Sequence, residues 1–454
     1  MNDNHINRHT VDPLKVELRP LGVLKPAARN ARTHSDKQIE QVAASIRHFG
    51  FTNPIIIEAD GTIVAGHARF EASKALGIVD VPTIQITHLS ADELRAYRLA
   101  DNKIADNAEW DPEILRLEFE ALVEIETRYD VEITGFTTTQ IDLLLDMSPA
   151  EAKLEEQPAL NRKEVPGVER GDVWVLGSHR LLCGDSRDPA SFDRLMDLEQ
   201  ARMVFSDPPF NVKVDGHVGG LGRTKHAEFA MASGEMSDAQ FTAFLQTVFA
   251  NAAAVSIDGA IHYQCMDWRH MGEMLGAGHS VYSGLQNLCT WVKDNGGMGS
   301  FYRSQHELVF VWKVGDAPHL NTVQLGKNGR YRTNVWHYRG ATKTGPDAEL
   351  ALHPTVKPVT MIMDAIKDTS KRGDIVLDPF GGSGSTLIAA HKTGRRARLI
   401  EYEPGYCAVT IRRWQKIARG KAVLETTGET FADVYARRNA EIERLAEIAL
   451  DDAA

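Results

Sequence analysis

The sequence predicts an α/β protein built on a doubly wound parallel sheet and preceded by a smaller α+β domain. Three observations carry that expectation. From about Gly171 onward, short apolar runs alternate with segments of helical spacing, as strands do when crossover helices separate them. Two of those runs end in unusual turns: Met203-Val204-Phe205 leads into Ser206-Asp207-Pro208-Pro209-Phe210, and Asp374-Ile375-Val376-Leu377 leads into Asp378-Pro379-Phe380-Gly381-Gly382-Ser383-Gly384-Ser385-Thr386. Ahead of both, residues 39 to 70 read as helix, hairpin and helix, a separate small arrangement.

Composition narrows the class. With 454 residues, 43% apolar and 25% charged, the chain has the make-up of a globular protein of two or three domains. Cys183, Cys265, Cys289 and Cys407 form neither a Cys-x-x-Cys pair nor a Cys/His cluster of zinc spacing, so reduced thiols and no metal are expected. The polar N-terminus lacks an apolar signal core, and no apolar run nears the roughly 18 residues of a membrane span, so a cytoplasmic location is expected. A net charge of -11 does not announce a nucleic-acid binder. Its distribution says more: residues 320 to 345 hold Lys327, Arg330, Arg332, Arg339 and Lys343 and no acid, interleaved with Tyr331, Trp336, His337 and Tyr338. Such a stretch suits a phosphate backbone, with a solvated loop as the plainer alternative.

The elements follow in order. Residues 1–10 read as a disordered tail and 11–112 as the first domain. Ile39, Val42, Ala43, Ile46 and Phe49 share a helical face, and Gly50 ends it. Pro54 to Ile57 and Thr62 to Val64 read as hairpin strands about Ala59-Asp60-Gly61, and Gly66 opens a helix. Residues 113–170 read as a helical segment, 112 to 147 looking helical, followed by a linker. The doubly wound domain is expected over 171–425, with strands at Ala260 to Gln264, Glu307 to Trp312 and Ala397 to Ile400. A helix and acidic tail, 426–454, lay Phe431, Val434, Tyr435, Ile442, Leu445 and Ala449 on one face.

The two turns carry chemistry. The Asp207 carboxylate and the Pro208 carbonyl can each accept one hydrogen of an exocyclic base amine, proline fixing the backbone that aims the second acceptor. Phe210 offers a ring for the base to stack on, and the target would have to leave a duplex to reach it. The glycines after Asp378 let backbone approach a nucleoside closely, and an acid about 20 residues on, Glu401 at a strand end, suits ribose hydroxyls.

On these residues the chain resembles the beta group of the amino-methylating DNA methyltransferases, with the catalytic motif ahead of the cofactor motif. The resemblance covers Gly171 to about Leu424 and implies a Rossmann-like sheet, S-adenosyl-L-methionine as cofactor and double-stranded DNA as partner. It implies catalysis by Asp207, Pro208, Pro209 and Phe210. Cofactor binding is implied for Asp185, Thr355, Lys357, Asp378, Phe380, Gly381, Gly382, Ser383, Gly384 and Glu401; Asp185 lies in Cys183-Gly184-Asp185 and Thr355 and Lys357 in His353-Pro354-Thr355-Val356-Lys357-Pro358. Target recognition is expected within about 291–350, with Arg303, Lys327, Arg330, Arg332, Arg339 and Lys343 on DNA. Aspartate at position 207 favours adenine N6, cytosine N4 being the alternative, and a homodimer and nucleoid association fit the group. No endonuclease constellation is evident, so a stand-alone enzyme is expected.

Asn30-Ala31-Arg32-Thr33-His34, Pro54-Ile55-Ile56-Ile57 and Gly66-His67-Ala68-Arg69 resemble the ParB/sulfiredoxin-like domain over about residues 14 to 110. That resemblance implies DNA targeting or nucleotide sensing, with Gly66, His67 and Arg69 toward an anion at a helix start. Ala68 replaces one of the paired arginines, and the sulfiredoxin cysteine is absent. Two other classes stay open: a ParB-like DNA-binding regulator with a vestigial methyltransferase half, and a methyltransferase of RNA or protein.

Overall fold

The computed structural model describes residues 14–124, 131–146, 167–211, 234–294, 296, 302–323, 332–338 and 357–451. The chain divides into two compact units, Met1–Ser148 and Pro149–Ala454.

In the first unit, β1 (Val16–Pro20), α1 (Asp36–Phe49), β2 (Ile55–Ile57), β3 (Ile63–Ala65), α2 (His67–Leu76), β4 (Asp80–Gln85) and α3 (Ala91–Asp106) build a four-stranded sheet of order β1-β4-β2-β3 and its helices. Ile55, Ile57, Ile63, Phe70 and Val81 bury together, as the alternation in the hairpin requires. Gly50 ends α1 at φ 79°, a left-handed conformation that glycine adopts without steric cost. The helical stretch expected over 112 to 147 holds α4 (Pro112–Glu124) and α5 (Thr138–Asp146) as separate helices. Residues 131–134 form a 3-10 turn, Gly135 follows at φ 91°, and Thr137 exchanges capping bonds with Gln140 to start α5. Phe119, Val131 and Ile141 form their shared core, while Ile114 and Leu117, expected to add apolar packing surface, are exposed.

The second unit contains β5 (Val173–Leu176), β6 (His179–Cys183), α6 (Pro189–Met196), β7 (Ala201–Ser206), α7 (Asp238–Ala254), β8 (Ser256–Met266), α8 (Met271–Val281), β9 (Gly284–Val292), β10 (His306–Lys313), β11 (Val335–His337), α9 (Val359–Thr369), β12 (Ile375–Asp378), α10 (Ser385–Lys392), β13 (Arg396–Glu401), α11 (Pro404–Ala418), β14 (Ala422–Leu424) and α12 (Phe431–Asp451). They make one ten-stranded sheet, β11-β9-β10-β8-β7-β12-β13-β6-β5-β14. The central strands β8, β7, β12, β13 and β6 run parallel, and β10, β9 and β5 pair antiparallel outside them.

Side chains alternate between two faces. Met203, Phe205 and Val376 join the core under α9, α10 and α11, while Val204, Ile375 and Leu377 join the one under α6 and α7. Burial on both faces explains the near-continuous apolar runs in the sequence. In α12, Phe431 and Val434 are buried as expected, whereas Ile442 is 46% exposed; the side chains of Leu445 and Ala449 lie outside the described residues.

Candidate active site

The sheet reverses its winding between β7 and β12. From β7 the chain passes through α7 to β8 on one side; from β12 it passes through α10 to β13 on the other. Crevices at such switch points, outside the carboxyl ends of the strands, are where open sheets bind ligands. Asp207 follows β7, Asp378 ends β12, Glu401 ends β13 and Asp185 follows β6. Strand pairing places Leu377 beside Val204 and Glu401 beside Cys183, so residues far apart in sequence reach one edge.

At the glycine turn, Asp378 Oδ1 accepts from the Phe380 N–H at 2.9 Å. Burial lifts its carboxyl to about 7, against the Thr386 hydroxyl and the Phe380 amide, which favour the charged form. Asp378 therefore shapes the turn instead of facing outward. A Cβ on Gly381 would meet Leu399 Cδ2 at 3.1 Å, and one on Gly384, at φ 82°, would meet Thr410 Cγ2 at 2.6 Å. Glu401 Oε2 accepts from Gly382 N–H at 2.7 Å and Oε1 from Glu403 N–H at 2.8 Å. Burial raises Glu401 to about 7, against those same amides. Asp185 is held by Arg187, whose Nη2 donates to Oδ2 at 2.6 Å; burial opposes ionisation, but Arg187 keeps this carboxyl below its ordinary range.

Around Asp207 the geometry is more elaborate than the sequence suggested. Lys357, expected at the cofactor, donates instead to Asp207 Oδ1 at 2.6 Å and pairs with Glu307 Oε2 at 2.9 Å. Lys293 pairs with the other oxygen of Glu307. Lys357 Nζ also lies 5.1 Å from the centroid of Phe210 and 5.9 Å from that of Trp291. Burial raises Asp207, with Lys357 opposing and Glu307 adding to the rise. Burial acts the same way on Glu307, but Lys357 and Lys293 overcome it and hold that carboxyl below its ordinary range. Lys357 stays charged because its two acids outweigh burial. Oδ2 of Asp207 has no hydrogen-bond partner among the described residues.

Phe210 and Phe380 pack against the same cluster of Phe241, Phe244 and Leu308, which links the two motifs. The next residue, Asn211 at φ 51°, accepts from Gly234 and Met236 amides and donates to Met236 O, fixing the chain that carries Phe210.

Other expectations fare differently. Arg332, expected on DNA, is turned inward: Nη1 donates to Asp364 Oδ2 at 3.0 Å and to Tyr338 Oη at 2.8 Å, and Nε lies 2.8 Å from Asp368 Oδ2. It anchors the β11 segment to α9, bridging the buried Asp368 and the partly exposed Asp364. Arg303 is exposed between β9 and β10. Thr355, Lys327, Arg330, Arg339 and Lys343 lie outside the described residues. In the first unit, Gly66 caps α2 at φ 100°, the His67 ring accepts from the Ala27 amide at 3.3 Å, and Arg69 donates to Pro54 O at 3.3 Å. Burial lowers His67, helped by His34 and Arg98, so it is a neutral acceptor and not an anion-binding cation.

Sequence reasoning did not assign Glu307, Lys293 or Trp291 to the surroundings of Asp207. A glutamate in the apolar run of β10, directly opposite Trp291, was the available signal.

Family profiles match three successive stretches: ParB N-terminal domain over residues 5–103, ParB-methyltransferase HTH domain over 113–169, and DNA methylase over 201–412. The DNA methylase match covers a little under half of the chain, the whole stretch from β7 into α11. Its N-terminal part is ParB-like, 44% identical over 82 residues to the ParB-like nuclease domain-containing protein YnaK of Escherichia coli (strain K12), covering 18% of this chain and 94% of that protein. The methylase part is similar to the type II methyltransferase M2.DpnII of Streptococcus pneumoniae, 28% identical over 156 residues, covering 30% of this chain and 58% of that enzyme. The chain thus spans little more than half of that relative's length. Among solved structures, a DNA modification methylase from Thermus thermophilus complexed with S-adenosyl-L-methionine aligns at TM-score 0.37 and 18% identity, over 56% of this chain and 96% of that one. The helix-turn-helix match falls on α4, α5 and the stretch read as a linker, a domain type the sequence reading did not name.

Proposed function

We propose that the chain methylates the exocyclic N6 amine of adenine in duplex DNA, using S-adenosyl-L-methionine. The observation that carries this is Asp207, set at the switch point with one carboxylate oxygen held by Lys357 and the other free of described partners, beside a glycine turn and a strand-end acid.

The crevice residues fit a nucleoside cofactor. Gly381 packs closely on Leu399 of β13, which keeps the turn tight, and Glu401 and Asp185 bring carboxylates to neighbouring strand ends where ribose hydroxyls can donate. Gly382 and Ser383 complete the turn. When bound, the cofactor supplies a methyl group activated by its sulfonium.

The chain's own residues do the rest. Asp207 Oδ2 and the Pro208 carbonyl accept the two amino hydrogens, turning the nitrogen lone pair toward the methyl donor. Phe210 stacks on the base, offsetting part of the few kcal/mol of unstacking. Asp207 need not be a strong base, because the methylated ammonium sheds its proton readily. Arg303 and the cations of residues 327 to 343 are assigned to the DNA, and the ParB-like and helix-turn-helix parts to targeting.

The test is transfer of labelled methyl from S-adenosyl-L-methionine to unmethylated duplex DNA, with nucleosides resolved by mass spectrometry and Asp207→Ala alongside. N6-methyladenine that disappears in the variant, with cofactor binding retained, is the expected result. N4-methylcytosine would move the assignment to the sister reaction, and no product from folded, cofactor-binding protein would overturn it.

A further inference from the structure

We infer that Lys357 and Glu307 are positioning residues for Asp207: Lys357 locks one carboxylate oxygen so that the other faces the amine, and Glu307 divides the hold of Lys357 between two acids. This deepens the proposed function and rests on it for the identity of the amine.

Four charged groups of alternating sign form a line: Lys293, Glu307, Lys357, Asp207. They come from four places in the chain, after β9, on β10, just before α9 and after β7, and converge only in the folded unit. Lys357 is the most enclosed, its side chain 3% exposed against 26% for Asp207. A buried ammonium between two carboxylates, flanked by Phe210 and Trp291, is costly to build and is not needed for packing. Its effect is directional. An unpinned carboxylate rotates about its Cβ–Cγ bond and offers either oxygen. With Oδ1 held at 2.6 Å, Oδ2 alone is presented. Glu307, at 2.9 Å on the far side, keeps Lys357 from belonging to Asp207 entirely, which leaves Asp207 basic enough to accept strongly.

Charged and titratable groups facing Asp207 are Lys357, Glu307 and Lys293, with the Cys265 thiol and Asp378 nearby. Removing Lys357 and removing Glu307 therefore push Asp207 in opposite directions. In pH profiles of kcat/KM for methyl transfer to duplex DNA, Lys357→Met should move the acid limb up by about one pH unit or more. Glu307→Gln should move it down, and Lys357→Arg should leave it near the wild type. Infrared difference spectra against Asp207→Asn, recorded across the same pH range, read the same carboxyl without turnover. Opposite shifts in Lys357→Met and Glu307→Gln support the role; limbs that stay put, or move together, overturn it. If Lys357→Met does not melt cooperatively, the sign of the Glu307→Gln shift decides alone. A wild-type protein that transfers no methyl group counts against the proposed function, while the infrared titration still decides the positioning role.

Discussion

Arg332→Met separates two readings of the segment before β11. The sequence placed this cation on DNA; the fold places it among Asp364, Asp368 and Tyr338, its side chain 18% exposed. Removing the guanidinium takes an ion pair from Asp368, 9% exposed, and one from Asp364, which at 32% is partly relieved by water. Breaking a buried pair in this way costs about 3 kcal/mol, the low end of the usual range because one acid is partly solvated. For a unit of this size, at about 2 °C per kcal/mol, the melting temperature should fall by about 6 °C. Adding Asp368→Asn should recover part of the loss, since one of the two acids that Arg332 neutralises goes with it. DNA binding is measured in parallel as a function of salt, with exposed Arg303→Ala as the comparison. Removing a phosphate-binding cation at Arg303 should reduce the salt slope by about one, whereas Arg332→Met should leave the slope unchanged. Full thermal stability together with a reduced slope for Arg332→Met would refute the anchoring argument.

Two further predictions concern the glycine turn. Gly384→Ala places a Cβ 2.6 Å from Thr410 Cγ2 at φ 82° and should cost about 2–5 kcal/mol, whereas Gly382→Ala, at φ 50° with nothing nearer than 3.9 Å, should cost about 1 kcal/mol; equal losses in thermal melts would contradict the packing account. Asp378 has a folded pKa of about 7, above its ordinary value, so the folded state holds this proton more tightly and the stability this confers below about pH 4 is lost as pH rises to 7. Asp378→Asn should therefore gain on the wild type across that window, by at most about 4 kcal/mol, and unfolding curves that stay parallel with pH would exclude it.

The sheet was legible because burial on both faces turns its strands into apolar runs, and the turns after β7 and β12 were legible because proline and glycine write backbone geometry directly into sequence. Asp207, Phe210, Phe380 and Glu401 stand at the strand ends where that pattern put them. What escaped was pairing across the fold. Nothing local distinguishes a lysine bound for the methionine part of a cofactor from Lys357, which reaches an aspartate 150 positions away, or a base-reading arginine from Arg332, whose acids lie 32 and 36 positions later. Long-range ion pairs have no period. The separate start of α5 was missed for a smaller reason: the positive φ of Gly135 and the Thr137 cap outweigh a favourable apolar spacing.

Because β7 pairs with β12 across more than 170 positions of chain, the reactive edge cannot exist in part. A ribosome releasing this chain exposes Asp207 long before Asp378 and Glu401 have been made, and during that interval the aspartate has neither its neighbouring strand nor its lysine. Distant pairing of this kind slows folding. In exchange, an incomplete polypeptide, however well its early strands form, cannot bring these strand ends together, so the proposed methyl transfer would wait for the finished chain.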